Sequence, residues 1–99
     1  MPKPEDILGK WRAFCPPRVE KRDFEKVLRH FLGRWLREHR GGSHLFVVEH
    51  PALEQVPAFR GYCTFSAVIE EGRHVRAIYV KHLIKAIDCI LEYEGEDQL

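Results

Sequence analysis

The sequence predicts a small α+β domain in which two helices cover one face of an antiparallel sheet of two or three strands. Apolar residues recur every three or four positions over about residues 20–40 and again over 80–93, which is the spacing of helices with one buried face. Between them lie two short runs rich in branched and aromatic residues, at 44–50 and 62–69, as is typical of strands. The chain has 99 residues, which suits one domain with one core.

Composition indicates an ordinary globular protein. Hydrophobic residues make up 44% of the chain and charged residues 31%, so the low hydrophobicity of disordered chains is excluded. The longest stretch without a charge, residues 61–69, is shorter than the roughly 18 to 20 apolar residues of a membrane span. The N-terminal residues show no signal-peptide pattern, so a cytoplasmic location is expected.

The first seventeen residues form a proline-rich arm, with four of the six prolines of the chain. A short helix is expected over about residues 5–14, packed on the core by Trp11 and Phe14 and stopped by the Cys-Pro-Pro sequence that follows. Residues 18–94 are then the folded body. Residues 95–99 are an acidic tail that should fray.

The first helix of the body begins near Glu20 and carries the most regular apolar face of the chain. Gly41 and Gly42 are expected to end this helix, with His39 and Arg40 in its last turn, where positive charge suits the helix dipole. Its predicted core residues share one face: Phe24, Val27, Leu28, Phe31, Leu32, Trp35 and Leu36.

A strand at 44–50 follows and is halted by Pro51. The linker 51–61 carries two prolines and is expected to form an extended loop before the second strand at 62–69. After a glycine-containing turn, residues 74–80 either form a short third strand or lead directly into the last helix. That helix is expected to bury five residues at helical spacing: Val80, Leu83, Ile84, Ile87 and Leu91.

Basic residues lie opposite the apolar face of the first helix, and the net charge of +1 hides an uneven distribution. Residues 1–87 hold all 16 Lys and Arg against 10 of the 15 acidic residues, so this part carries about +6 and the remainder −5. A phosphate-binding surface and a solvated helix face with pairs such as Glu25–Arg29 and Arg34–Glu38 both explain the basic stripe. Its members, three or four apart, are Arg22, Lys26, Arg29, Gly33, Arg37 and Arg40.

Gly33 is the one member of this stripe without a side chain. Glycine inside a helix costs about 1 kcal/mol relative to alanine. Its presence indicates close packing against a neighbouring backbone or the close approach of a ligand.

The chain has six histidines and three cysteines, and none is spaced as metal ligands are. No metal or other cofactor is therefore expected, and the cysteines should be reduced and mostly buried. His30 and His82 fall within predicted helices and His74 within a predicted turn. The remaining three bracket the first strand: His39, His44 and His50.

His44 follows Gly-Gly-Ser at the entrance to the first strand, on the strand face shared with Val48 and His50. A histidine side chain has an unperturbed pKa near 6.5 and can take or give a proton near neutral pH. The glycines beside it would let a substrate backbone approach. His44 is therefore the candidate for proton transfer, and a purely structural histidine is the alternative.

The stretch RGGSHLFVVEHP, residues 40–51, resembles the signature of the HicA toxin family, in which a helix ends in a basic residue and Gly-Ser-His opens the first strand. Residues 65–90, FSAVIEEGRHVRAIYVKHLIKAIDCI, are similar to that family's second strand, turn, basic entry and closing helix. The similarity covers roughly residues 22–92.

This resemblance implies an α-β-β-β-α fold like that of a double-stranded-RNA-binding domain, and an mRNA-cleaving toxin that a HicB-type antitoxin protein neutralises. It also implies that His44 is catalytic and that no metal takes part. We infer in addition, apart from the family signature, that Gly42 and Ser43 would approach the phosphate and that Arg40, Arg73 and Arg76 would neutralise its oxygens.

Two other functions stay open at this point. One is a non-catalytic RNA-binding module on the same fold, and the other is a domain that binds a protein partner through an exposed strand or helix face. Contacts with phosphates weaken steeply as salt rises, which separates RNA binding from a mainly apolar protein interface.

Overall fold

Two helices pack on one face of a five-stranded antiparallel sheet and the N-terminal helix packs against those two, as the computed structural model shows for residues 3–38, 45–59, 61 and 63–97. The elements are α1 (Pro4–Ala13), β1 (Arg18–Glu20), α2 (Lys21–Leu32), β2 (Leu36–Glu38), β3 (Leu45–Glu49), β4 (Thr64–Glu70), β5 (His74–Arg76) and α3 (Ala77–Asp97). The strand order across the sheet is β1-β5-β4-β3-β2. The predicted α+β class, with helices covering one face of an antiparallel sheet, is confirmed.

Strand β4 shows how the sheet separates its two faces. Phe65, Ala67 and Ile69 are buried against the helices, whereas the alternate residues of the strand are exposed. This alternation follows from the period of two along a strand. On β3, Val48 and the following His50 are buried and Glu49 is exposed, so the predicted shared face of Val48 and His50 is the face covered by the helices.

Helix α2 buries Phe24, Val27, Leu28 and Leu32 completely, as its spacing predicted. The prediction that this helix continues to Arg40 is wrong. It ends at Leu32, and a 3₁₀ turn over Gly33–Trp35 leads into β2.

Tertiary contacts explain why α2 ends early. The Trp35 ring packs edge-on against the His50 ring at 5.0 Å between centroids, and Leu36 pairs with Val48 in the sheet. Gly33 is a weak point for the helix because glycine has low helix propensity. A Cβ at Gly33 would meet nothing within 4 Å, so close packing does not explain this glycine.

The linker after β3 contributes to the core and is not an extended loop. Two 3₁₀ helices, Pro51–Gln55 and Pro57–Phe59, shape it. Four of its side chains join the buried cluster: Ala52, Leu53, Val56 and Phe59. The sequence missed this compaction because short 3₁₀ segments leave little periodic pattern.

At the two ends of the chain, the burial of some apolar residues and the length of the last helix differ from the prediction. In α1, Trp11 is buried with Ile7 and Leu8, but Phe14 is 76% exposed, so the predicted packing of Phe14 is wrong. Helix α3 begins at Ala77 and continues to Asp97, where a frayed tail was predicted. Leu91, predicted to be in the core, is 46% exposed because the buried face of α3 ends with Ile87 and Ile90.

The three cysteines, Cys15, Cys63 and Cys89, are free thiols of intermediate exposure. The Cys89 thiol donates to the Ala52 carbonyl oxygen at 3.2 Å. Burial raises the pKa of Cys89, and Glu92 adds to the effect. Among the described helices, none has the length and apolar character needed to cross a membrane.

Candidate functional site

Four of the six predicted site residues, Arg40, Gly42, Ser43 and His44, lie outside the described residues. They belong to the six-residue link between β2 and β3, two strands that pair antiparallel from Leu36–Val48 to Glu38–Phe46. The other two predicted residues, Arg73 and Arg76, are described. The site can therefore be located through its flanking strands and these two arginines.

The register of the sheet brings the start of β3 close to β5. Leu45, the residue after His44, pairs with Val68 of β4. The next residue of β4, Ile69, pairs with Val75 of β5, beside Arg76. Because neighbouring strands lie about 4.8 Å apart, Leu45 and Arg76 are separated by two strand spacings, or about 10 Å.

Arg76 is engaged in an ion pair within the sheet. Its Nε donates to the Glu70 carboxylate at 2.6 Å, and this hydrogen bond lowers the pKa of Glu70 and raises that of Arg76. Both side chains are in contact with solvent, where such a pair contributes little to stability. Arg76 could bind a phosphate only by sharing or leaving Glu70.

Arg73 follows the tight turn between β4 and β5. Glu71 and Gly72 have φ of 52° and 69°, and the Arg73 N–H donates to the Glu70 carbonyl oxygen at 2.9 Å. Two positive φ angles inside a hydrogen-bonded turn are the type I′ geometry of hairpins, which favours glycine. The Arg73 carbonyl oxygen accepts from the Lys21 N–H at 2.7 Å, which joins this turn to the start of α2.

A surface depression of about 500 Å³ lies between this turn and the start of α2. It is hereafter called the α2–turn depression. It is lined by residues from both elements: Glu20, Lys21, Arg22, Glu25, Gly72, Arg73 and His74. Sequence reasoning named Arg73 as a binding residue and placed Arg22 in the basic stripe, but it missed Lys21 and His74. These two are distant in the chain and become neighbours through the β1–β5 pairing, where Glu20 lies opposite His74.

The carboxylates of the α2–turn depression are paired with arginines. Glu20 accepts from Arg22 at 3.2 Å and Glu25 from Arg29 at 3.0 Å, the latter a pair predicted from helical spacing. Within the part of the chain that the structure describes, no carboxylate lies within ion-pair distance of Lys21 or Arg73. The depression therefore has a local excess of positive charge.

His74 lines the same depression and is the first residue of β5, not a turn residue as predicted. Its Nδ1 is buried and has no hydrogen-bond partner among the described residues. An unpaired buried polar atom costs about 1 to 3 kcal/mol. Such exceptions are infrequent in folded proteins and call for an explanation.

The predicted basic stripe is not a continuous surface. Arg22, Lys26 and Arg29 lie on α2, but Gly33 follows its end and Arg37 lies on β2, while the sixth member is outside the described residues. Arg37 Nε lies 3.7 Å from the Glu49 carboxylate. The predicted helical pair of Arg34 with Glu38 does not form on a helix, and Arg34 instead lies over the Trp35 ring at 5.6 Å.

His50 is a structural residue. It is 2% exposed, its Nε2 lies 2.8 Å from a Glu94 carboxylate oxygen, and its Nδ1 accepts from the Ala52 N–H at 3.0 Å. Because Nδ1 accepts a hydrogen bond, the proton is on Nε2, which donates to Glu94. The Tyr93 ring packs edge-on against the His50 ring, with 5.3 Å between the ring centroids. Both nitrogens are occupied and the ring is buried, so His50 cannot transfer a proton to a substrate in this arrangement.

His30 and His82 lie on helices, as predicted. His30 is on α2 and its Nε2 lies 2.8 Å from the Glu5 carboxylate of α1. His82 is on α3, among the rings of Phe59, Phe65 and Tyr79. Burial lowers the pKa of His82 below its ordinary value.

This pKa shift predicts that acid destabilises the fold through His82. The unfolded chain takes up the proton at higher pH than the folded chain, so stability is full above about pH 6.5 and falls as pH drops through the lowered pKa. The His82→Phe variant keeps an aromatic ring at this position but has no ionisable group there. We expect the thermal midpoint of the wild type to fall more steeply between pH 7.5 and 5.0 than that of His82→Phe. Parallel curves would contradict this role.

Among the described residues, no group of three or more His, Cys, Asp and Glu side chains is arranged to hold a metal ion. No protein-family model, no curated protein and no solved structure matches the chain.

Proposed function

We propose that the protein is a metal-independent endoribonuclease that cuts mRNA with His44 as its catalytic residue, in the cytoplasm, and that a HicB-like antitoxin protein neutralises it. The observation that carries the proposal is the sheet register, which sets Leu45, the residue after His44, two strand spacings from Arg76. The resemblance of residues 40–51 to the HicA signature supplies the reaction class.

The chemistry needs no external nucleophile, because the 2′-hydroxyl of RNA can attack the adjacent phosphorus. The His44 imidazole would accept the 2′-hydroxyl proton as the new P–O2′ bond forms and the P–O5′ bond breaks. The departing 5′-oxygen takes a proton from water. The products are a 2′,3′-cyclic phosphate and a 5′-hydroxyl, and the imidazole returns its proton to solvent.

Charge on the phosphate must be stabilised while these bonds change. Arg40 and Arg76 are the proposed cations at this phosphate, and Gly42 and Ser43 the proposed donors at close range, while Arg73 would contact the RNA at a neighbouring phosphate. Preorganised donors of this kind are usually a large contribution to catalysis. Arg76 would have to exchange part of its pairing with Glu70 for the substrate, whereas Arg73 has no carboxylate partner to leave within the described residues.

The purified protein, incubated in EDTA with a mixed pool of RNA oligonucleotides and with an mRNA transcript, tests the proposal. We expect cleavage to persist in EDTA and the products to carry 2′,3′-cyclic phosphate and 5′-hydroxyl ends. The same oligonucleotides with 2′-deoxyribose should stay intact, because the nucleophile is missing. Cleavage of the deoxy pool, or loss of cleavage in EDTA, would contradict this mechanism.

A non-catalytic RNA-binding module is the second candidate, and the positive excess of the α2–turn depression favours it. In that case the protein would bind RNA without cutting it, and its affinity would fall steeply between 50 and 200 mM salt, as phosphate contacts do. Tight RNA-independent binding to a protein, with little salt dependence, would instead support a protein-interaction domain.

A further inference from the structure

We propose that the α2–turn depression is a phosphate-binding subsite for RNA, distinct from the linkage that is cut. The RNA part of this proposal rests on the proposed function, while the phosphate part rests on the depression alone. Lys21, Arg73 and His74 are the proposed ligands.

The charge balance of the depression supports an anionic ligand. Its two carboxylates are each occupied by an arginine, Glu20 by Arg22 and Glu25 by Arg29. Lys21 and Arg73 meet no carboxylate in the described ranges, although they line the same 500 Å³ space. A phosphate between two unpaired cations gains charge-assisted hydrogen bonds, which are about twice as strong as neutral ones.

The backbone adds to the same positive field. Helix α2 has 12 residues and begins at Lys21, on the wall of the depression, and its N-cap residue Glu20 makes no side-chain capping hydrogen bond. The N-terminal end of a helix carries a partial positive charge that stabilises anions. The turn with Gly72 closes the opposite wall without a side chain.

His74 gives the second, independent indication. Its buried Nδ1 lacks a partner in the described part of the chain, and the residue is one of those that line the depression. Because this atom is shielded from solvent, a phosphate oxygen would accept a hydrogen bond from it only after the imidazole turned toward the depression. Phosphate, with several acceptor oxygens, suits the donors of an ammonium, a guanidinium and an imidazole together.

The position of the depression indicates which phosphate it would hold. His74 lies on β5, two strand spacings, or about 10 Å, from β3, where the His44 side of the site begins. One phosphate cannot contact both places. The depression would therefore bind a phosphate that flanks the cut linkage, either a backbone phosphodiester or a terminal phosphomonoester.

Binding can be measured separately from cleavage. Inorganic phosphate is titrated into the full-length protein, and the amide and imidazole NMR signals are followed. We expect shifts concentrated at Lys21, Gly72, Arg73 and His74. The double variant Lys21→Gln/Arg73→Gln should lose these shifts, and circular dichroism should show it folded. Shifts spread evenly over surface lysines, or unchanged in the double variant, would overturn the subsite.

RNA binding uses the same variants with His44→Ala, so that the oligonucleotide stays uncut. The matched control Lys10→Gln/Lys85→Gln removes the same net charge from exposed positions on α1 and α3. We expect the Lys21/Arg73 variant to lower affinity about tenfold at 0.1 M salt. It should also reduce the slope of log K against log salt by about 0.7, the value for one phosphate of a single strand. Equal losses in the two double variants would contradict the proposal.

Oligonucleotides with a 5′-phosphate or a 5′-hydroxyl distinguish the two phosphate sources. Tighter binding of the phosphorylated form, lost in the Lys21/Arg73 variant, assigns the subsite to a terminal phosphate, and equal binding assigns it to the backbone. A protein that binds phosphate at this subsite but never cuts RNA would refute the ribonuclease and leave the subsite standing. If the wild type shows no phosphate shifts at these residues and the Lys21/Arg73 variant cuts RNA as fast as the wild type, the subsite is refuted and the ribonuclease still stands.

Discussion

His44→Ala should reduce RNA cleavage by about 10² to 10⁴, the usual contribution of a positioned acid-base group. The fold should be unaffected, and RNA affinity nearly so, because the proposed phosphate contacts come from other residues. Single-turnover cleavage of a mixed-sequence RNA, together with the growth of cells that express the protein, measures the effect. Growth inhibition should disappear with cleavage.

His30→Ala is the matched control for this experiment. It removes one imidazole from α2, where the ring is paired with Glu5, and should leave cleavage unchanged. If His44→Ala cuts RNA as fast as the wild type, the catalytic assignment is wrong. If wild type and His44→Ala both bind RNA with a strong salt dependence but do not cut it, the protein is an RNA-binding module.

His50→Ala should lower the free energy of unfolding by about 3 kcal/mol, the largest stability effect expected from any histidine of the described chain. The buried Ala52 N–H loses its acceptor, which costs about 1 to 3 kcal/mol. The missing ring also leaves a cavity between Trp35 and Tyr93, with a further cost. In a domain of this size the thermal midpoint should fall by roughly 10 to 20 °C.

The same alanine substitution at the exposed His30 should cost less than about 1 kcal/mol. Glu94→Gln keeps an oxygen that can accept from the His50 Nε2–H, and should also have a small effect. Thermal unfolding of the three variants at neutral pH makes the comparison. Equal stability of the His50→Ala and His30→Ala variants would contradict a structural role for His50.

His44 and His50 illustrate how similar sequence contexts lead to different assignments. Both flank β3, and their spacing would put them on one strand face. In the structure both ring nitrogens of His50 are hydrogen-bonded, Nε2 to the Glu94 carboxylate and Nδ1 to the Ala52 N–H. Since the partner Glu94 lies 44 positions away along the chain, no local pattern could have revealed this pair.

The residues of the candidate site also differ in whether the sequence could reveal them. Arg73 was named from the sequence as a cation that could neutralise a phosphate. Lys21 and His74 were missed as site residues, since the pairing of β1 with β5 brings the start of α2 to that turn. Strands β1 and β2 have three residues each, too few for the alternation that predicts a strand.

The sequence by itself determined the α+β class, the order of the two main helices and the central strands, and most of the buried face of α2 and α3. Periodicity carries that information, because a helix or strand with one buried face repeats its apolar residues at a fixed interval. Only the tertiary structure decided where α2 ends, because Trp35 and Leu36 gain more from packing on His50 and pairing with Val48 than from continuing a helix through Gly33. It also decided which cations at the turn have no carboxylate partner among the described residues, since ion pairing depends on distances between elements that the order of residues does not specify.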